Sequence, residues 1–219
     1  MDRLVEKSLT IISNAIEIYP RIAVASSFGK DSMVLIDLAR RIDKNIQVFS
    51  VMTRYKPELT LMFKGIVHHS WDLNLKTFWN HEDVPDDLHT TDPDKCCELL
   101  KVKPMREAIQ EMALDAWVSG LRHDEGSDLR RDADYVEEYT CGVAKINPIL
   151  DWSEVDIWKY TAYRNLPINP LYAKGYRSLG CEKCSAPYTD SERGGRWVDT
   201  DKHGGECGIH STMFQRVKK

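Results

Sequence analysis

The chain predicts an α/β fold: a parallel-type sheet with helices on both faces, followed by an irregular C-terminal segment. Two observations carry this reading. Short apolar runs recur through the first 150 residues with helical segments between most of them, and strands alternating with helices form a parallel sheet covered on both faces. The first run, RIAVASS at 21–27, also leads through the small-residue string SFGKDS at 27–32 into MVLIDLARRI, a strand, a loop and a buried helix.

Taken in order, residues 3–18 set Leu4, Leu9, Ile12, Ala15 and Ile16 on one face and predict an amphipathic helix. After the first strand, loop and helix come strands at 45–51 (NIQVFSV), 71–76 (WDLNLK), 115–121 (DAWVSGL) and 144–150 (AKINPIL). Helices are predicted at 57–68, 94–112 and 153–164. From about residue 166 Pro, Gly and Tyr accumulate and periodicity is lost, so the segment carrying Cys181 and Cys184 reads as irregular. The expected organisation is an α/β domain over 1–190 and a mobile tail over 191–219.

A chain of 219 residues fits one medium domain with a tail. Lys and Arg number 30 against 34 Asp and Glu, and a net charge of -4 gives no global pull toward nucleic acid or a membrane surface. The N-terminus alternates charged and apolar residues without an uninterrupted apolar run, which excludes a signal peptide or membrane span there and leads us to expect a cytoplasmic protein. Six cysteines without a secretory signal read as redox or metal ligands rather than a disulfide framework.

Between the first strand and its helix, SFGKDS offers hydroxyls at Ser27 and Ser32, close backbone approach at Gly29 and a cation at Lys30. A loop of this kind presents N–H groups at a helix N-terminus, where an anion is favoured. Read alone, the string is equally an ordinary turn with Asp31 or Ser32 as N-cap. It is not the Walker pattern, which disfavours a kinase or ordinary NTPase.

The adjacent pair Cys96-Cys97 and the C-x-x-C of Cys181 and Cys184 read as one four-thiolate site, suited by ligand type to zinc or to an iron–sulfur cluster. Lys101, four residues after Cys97, shares its helix face and lies near whatever the thiolates hold. Cys141 has no partner by spacing and reads as structural. Cys207, in ECGIH at 206–210, stands between Glu206 and His210 and is reached through the pairs Gly194-Gly195 and Gly204-Gly205, the placement of a nucleophile on a movable segment.

Together these strings resemble the sulfonucleotide reductases of the adenine-nucleotide alpha-hydrolase superfamily, which reduce adenosine 5′-phosphosulfate (APS) or its 3′-phosphorylated form (PAPS) to sulfite. The resemblance rests on SFGKDS, CCELLK, GLRHDEGSDLR, PILDWSEVDIWKY with LPINPLY, GCEKC, and ERGGRW followed by ECGIH. It implies a [4Fe-4S] cluster on Cys96, Cys97, Cys181 and Cys184, with Lys101 between cluster and substrate. It implies a substrate cradle of Ser26, Ser27, Phe28, Gly29, Lys30, Asp31 and Ser32, with arginine contacts from Arg122, Arg130, Arg193 and Arg196. Guanidinium forks suit phosphate and sulfate oxygens. Cys207 is the implied nucleophile and His210 belongs to the closing motif.

Two strings depart from the family pattern. Where relatives carry a D-T-G-R-like turn, this chain has VMTRYKPELT, which leaves Arg54 as the remaining substrate contact there. Lys30 replaces an acidic residue common in the APS-using branch. On that charge exchange we expect PAPS as substrate, with APS as the alternative.

The chemistry implied is attack of the Cys207 thiolate on the sulfur of the bound phosphosulfate, giving S-sulfocysteine and expelling the nucleotide. No cysteine follows Cys207, so a separate thiol protein is expected to release sulfite, and the resemblance implies that it is thioredoxin or glutaredoxin. A homodimer is also expected. A tRNA-thiolating enzyme would share the phosphate loop but bring an RNA-binding region. A non-catalytic iron–sulfur redox sensor would keep the four thiols without needing ERGGRW and ECGIH.

Overall fold

The computed structural model describes residues 1–80, 82–125, 128–188, 190–198, 200, 202, 208–211 and 213–217. Its centre is a six-stranded sheet formed by β1 (Ile22–Ala25), β2 (Gln47–Met52), β3 (Leu75–Trp79), β4 (Ala116–Val118), β5 (Val136–Glu138) and β6 (Ala144–Ile146), in the order β3-β2-β1-β4-β6-β5. All neighbours are parallel except β5, which pairs antiparallel with β6 at one edge. From β1 the chain builds outward to β2 and β3 on one side and to β4 and β6 on the other. The order therefore reverses between β1 and β4, and the crevice at the carboxyl ends of such strands is where open α/β sheets take ligands.

Successive residues of a strand face opposite sides, and here each side finds its own helices. Val24, Val48, Val118 and Ile146 pack with α1 (Asp2–Ile18), α2 (Lys30–Arg40), α3 (Glu58–Trp71) and α8 (Glu154–Tyr163). Ala23, Phe49 and Trp117 face Met105, Ala108 and Ile109 of α6 (Lys103–Glu111). Two short helices, α4 (Leu88–Thr91) and α7 (Asp128–Arg131), fill connections. Among the described residues no helix is long and apolar enough to cross a membrane.

Most predicted elements are present, with three differences of physical interest. Helix α3 runs to Trp71 and closes on Asp72, whose φ of 49° is left-handed, so the strand predicted from residue 71 begins only at Leu75. Leu73, whose hydrophobicity suggested a strand, is buried in the helical layer instead. The helix predicted over 94–112 is interrupted by a π turn at Glu98–Val102 between α5 (Pro93–Cys97) and α6. The third difference is β5, a strand of sequence VEE that apolar periodicity cannot reveal.

The C-terminal segment is irregular but packed. Short 3-10 turns occupy Pro170–Lys174 and Glu182–Cys184, and α9 spans Gly208–Ser211. Ser185 bridges Arg196, and Arg216 bridges Tyr139 just beyond β5. A Cβ on Gly194 would fall 2.1 Å from the Tyr188 ring, and one on Gly195 2.1 Å from the Ala186 carbonyl oxygen. These two glycines allow close packing of 191–197 onto 185–188. Gly204 and Gly205 lie outside the described residues.

Candidate active site

A cavity of about 240 Å³ opens at the carboxyl ends of β1, β2 and β4. Its floor is the turn that follows β1. Ser26 Oγ accepts from the Phe28 N–H at 3.1 Å, and the Ser27 N–H donates to Ser32 Oγ at 3.1 Å. Phe28 takes a left-handed φ of 59° and buries its ring completely in the core. Gly29 then caps α2, and Ser26, Ser27, Gly29, Lys30, Asp31 and Ser32 line the cavity. Of the loop residues expected at the cavity, Phe28 alone does not line it; its side chain anchors the turn.

Lys30 does not project as a free cation. Its buried ammonium donates to Glu192 Oε1 at 2.5 Å, Asp31 Oδ2 at 3.3 Å and the Arg177 carbonyl at 3.2 Å. Arg122 is fully buried on the same two carboxylates, donating to Asp31 Oδ1 at 2.7 Å and to Glu192. Burial works against the Lys30 ammonium, but Asp31, the Tyr172 phenol and Glu192 outweigh it and hold the group charged. Burial would raise the Asp31 carboxyl; Lys30 and Arg122 more than offset that and hold it below the usual carboxylate range. Removing one member of such a group leaves a buried charge unpaired, at a cost of roughly 3–5 kcal/mol.

Besides Lys30, the cations that line the cavity are Lys56, Lys101, Arg130, Arg193 and Arg196. Arg130 pairs with Glu125, which Arg193 approaches at 3.6 Å. Arg196 donates to the Leu179 carbonyl at 2.7 Å, and both Arg193 and Arg196 lie over the Trp197 ring. Gly180 makes this possible, because a Cβ there would sit 2.4 Å from the Arg196 guanidinium. The cationic surplus of these walls suits an anionic ligand. Arg54 is turned elsewhere, donating to Asp83, Tyr55 and the Val84 carbonyl, and does not line the cavity. Arg122 likewise stands behind Asp31 and Glu192 rather than in the wall.

The four predicted thiols meet in one place. Cys96, Cys97, Cys181 and Cys184 are all buried and line a second, smaller cavity with Lys101. Lys101 and Cys181 line both cavities and so form the wall between them. Lys101 lies within the π turn, four and five residues beyond the adjacent cysteines; that turn closes with the Lys103 N–H on the Glu98 carbonyl, an i to i+5 bond. Burial pushes the Cys96 thiol up to about 11, and Cys181 and Cys184 add to the effect. Burial would also raise Cys181, but Lys101 and the Thr53 hydroxyl at 3.4 Å bring it below its ordinary value.

Two orphaned polar atoms test whether a prosthetic group fits. Trp197 packs with Cys181 and Cys184, yet its buried Nε1–H has no hydrogen-bond partner among the described residues, and neither has Ser185 Oγ. Four grouped thiols with an unused donor beside them fit an anionic inorganic centre better than a dry apolar core. Cys141 is exposed in the turn between β5 and β6 and lines neither cavity.

Cys207 lies outside the described residues, and of His210 only the backbone, within α9, is described. Ile209 of the same helix lines the larger cavity. Sequence reasoning missed Thr53, Glu125, Tyr172, Glu192 and Trp197. Glu192 and Trp197 stand in ERGGRW and Tyr172 in LPINPLY, so the strings were visible even though the roles were not.

Comparisons with known proteins agree with this geometry. The profile of the family described as "Phosphoadenosine phosphosulfate reductase domain" matches residues 21–187. Adenosine 5′-phosphosulfate reductase 2 of Bacillus subtilis is 32% identical, with 95% of this chain and 91% of that protein covered. The adenosine 5′-phosphosulfate reductases of a Geobacillus species and of Halalkalibacterium halodurans are 36% and 34% identical, covering 86% and 93% of this chain and 83% and 91% of those proteins. Among solved structures, a Candida auris PAPS reductase in a phosphate complex superposes with a TM-score of 0.72 at 20% identity, over 84% of this chain and 95% of that one. A Candida glabrata FMN adenylyltransferase does so with a TM-score of 0.68 at 18% identity, over 84% and 62%. With an adenine-nucleotide alpha-hydrolase-like sheet, a phosphate-type loop at its switch point and this extent of sequence match, the chain belongs to the sulfonucleotide reductase family.

Proposed function

We propose that this protein is a sulfonucleotide reductase that takes APS, releasing sulfite and AMP. The observation that carries the choice of APS is the pairing of Lys30 with Glu192 and Asp31. Our expectation of PAPS required a loop ammonium free to meet an additional phosphate, which carries about -1.5 to -2 charge. That ammonium is buried and already compensated, so the loop has no uncommitted charge to offer. The names of the bacterial relatives support the same reading.

In the proposed reaction the nucleotide's phosphosulfate lies over the loop at the start of α2, with Lys101, Arg130, Arg193 and Arg196 facing its oxygens. The Cys207 thiolate attacks the sulfur, the bond from sulfur to the bridging oxygen breaks, and AMP leaves with that electron pair. The positive walls favour the thiolate and hold the charge as it moves to the phosphate. A thiol of thioredoxin or glutaredoxin then attacks the Cys207 sulfur, sulfite departs, and the resulting mixed disulfide is resolved by the partner's second thiol. The stretch that carries Cys207, between Trp197 and Met213, acts as the segment that closes over the nucleotide and reopens for this partner. The working unit is a homodimer.

Cys96, Cys97, Cys181 and Cys184 would hold a [4Fe-4S] cluster, with Trp197 packed against Cys181 and Cys184. Bound there, the cluster supplies a fixed, polarising charge that orders the wall shared by the two cavities. The electrons come from the thiol pair.

Sulfite release from APS and from PAPS, measured anaerobically with reduced thioredoxin, tests the assignment. We expect kcat/KM at least about tenfold higher for APS, the ratio that about 1.4 kcal/mol of binding difference produces. Equal rates, or a preference for PAPS, would overturn the choice of nucleotide; no sulfite from either would overturn the reaction.

A further inference from the structure

We propose that Tyr172 is a substrate ligand, donating its phenolic proton to the acidic group that the cavity holds at the start of α2; this deepens the sulfonucleotide reading and rests on it. Tyr172 lies in the turn Pro170–Lys174 and lines the cavity. Asn169 ties that turn to the loop after β1: its Oδ1 accepts the Leu171 N–H at 3.1 Å, and its Nδ2 donates to the Phe28 carbonyl at 3.3 Å and to Thr60 Oγ1 at 3.1 Å. The tyrosine ring is fixed edge-on against Trp158, with centroids 5.2 Å apart and an interplanar angle of 89°.

Its hydroxyl is thereby held over the first amide of α2, accepting the Lys30 N–H at 2.8 Å. Gly29 permits the approach, since a Cβ there would stand 3.1 Å from the Tyr172 oxygen. A phenol has one proton and acceptor lone pairs. The bond from Lys30 uses a lone pair, and the proton has no acceptor among the described residues. Burial keeps the phenol well above its ordinary pKa, which the Lys30 charge only moderates, so the proton is present throughout the neutral range.

The first-turn amides of a helix are the groups that attract anions. Here one of them is relayed through a hydroxyl, so that N–H polarises O–H and O–H faces the cavity, an arrangement that strengthens the outer bond. A neutral donor is also well chosen at this point, because Lys30 beneath it is already paired.

The test replaces Tyr172 by Phe, which keeps the ring against Trp158 and removes only the oxygen. Calorimetric titration under anaerobic conditions with AMP and with adenosine separates recognition of the phosphate from recognition of the nucleoside. We expect Tyr172→Phe to bind AMP about tenfold more weakly, the loss typical of one hydrogen bond to a charged group, with adenosine affinity unchanged. KM for APS should rise by a similar factor while kcat stays within about twofold. Unchanged AMP affinity, or an equal weakening of AMP and adenosine, would overturn the proposal, the latter by making Tyr172 a packing residue. Failure of the wild-type protein to bind AMP at all would overturn the reading of the cavity, and the proposal with it.

Discussion

Cys96 and its three companions are gathered where a thiolate is hard to keep. Burial and mutual repulsion raise Cys96 and Cys184, whereas Cys181, beside Lys101 and Thr53, is pulled the other way. Four such groups are stable together either as neutral thiols or as ligands of a cation that takes their protons. The Trp197 N–H, buried against Cys181 and Cys184 with no acceptor among the described residues, favours the second state. We therefore expect anaerobically purified protein to contain about four irons per chain, and Cys184→Ser to lose most of that iron and the associated visible absorbance. Stoichiometric zinc without iron would contradict the cluster. Lys30 illustrates the converse lesson. Its charge was legible in the sequence, but its partner Glu192 lies 162 positions away in the chain, and a charge read without its partner suggests a ligand where the fold has built a fastening.

The tail segment makes the same point for whole elements. Its glycine pairs suggested a hinge, whereas Gly194 and Gly195 are sites of close packing, and the far end of the tail is fastened as well. Thr140 donates its N–H to the Gln215 carbonyl, and Val217 donates to the Glu138 carbonyl. Met213 and Phe214 pack with Trp117 and Tyr139, and Arg216 reaches Glu137 at 2.5 Å beside Lys145. The stretch containing Cys207 thus runs between two fastenings, Trp197 and Met213. Releasing the second should loosen the nucleophile's position without altering the cavity, and misplacement by about 1 Å can cost up to about a hundredfold in rate. Arg216→Ala should lower kcat at least about tenfold, leave AMP affinity unchanged, and speed proteolytic cleavage between residues 198 and 212. Unchanged kcat with unchanged proteolysis would mean that this fastening does not position the tail. Elements with apolar periodicity, such as β1 and α2, could be read from sequence because burial on both faces leaves a continuous apolar record. Strand β5 could not, since its VEE sequence is held by Lys145 and Arg216, and the π turn has no distinct periodicity to announce it.

At the scale of the molecule, one topological fact assembles the site. The strand order reverses between β1 and β4, which opens a crevice; the loop after β1 supplies its floor, the π turn and the GCEKC segment its thiol wall, and ERGGRW its arginines. The motifs were legible individually, and so was the sheet, but their convergence depends on partners remote in sequence that only the fold brings together. The central claim is that this crevice presents a sulfonucleotide to Cys207. Mass spectrometry of wild-type protein mixed with APS in the absence of thiol reductant tests it most directly. We predict the mass gain of a sulfonate on the peptide containing Cys207, its loss as sulfite when reduced thioredoxin is added, and no adduct in Cys207→Ser. A sulfonate on Cys141 or on a cysteine of the thiol wall, or sulfite formed at full rate by the serine variant, would contradict the account.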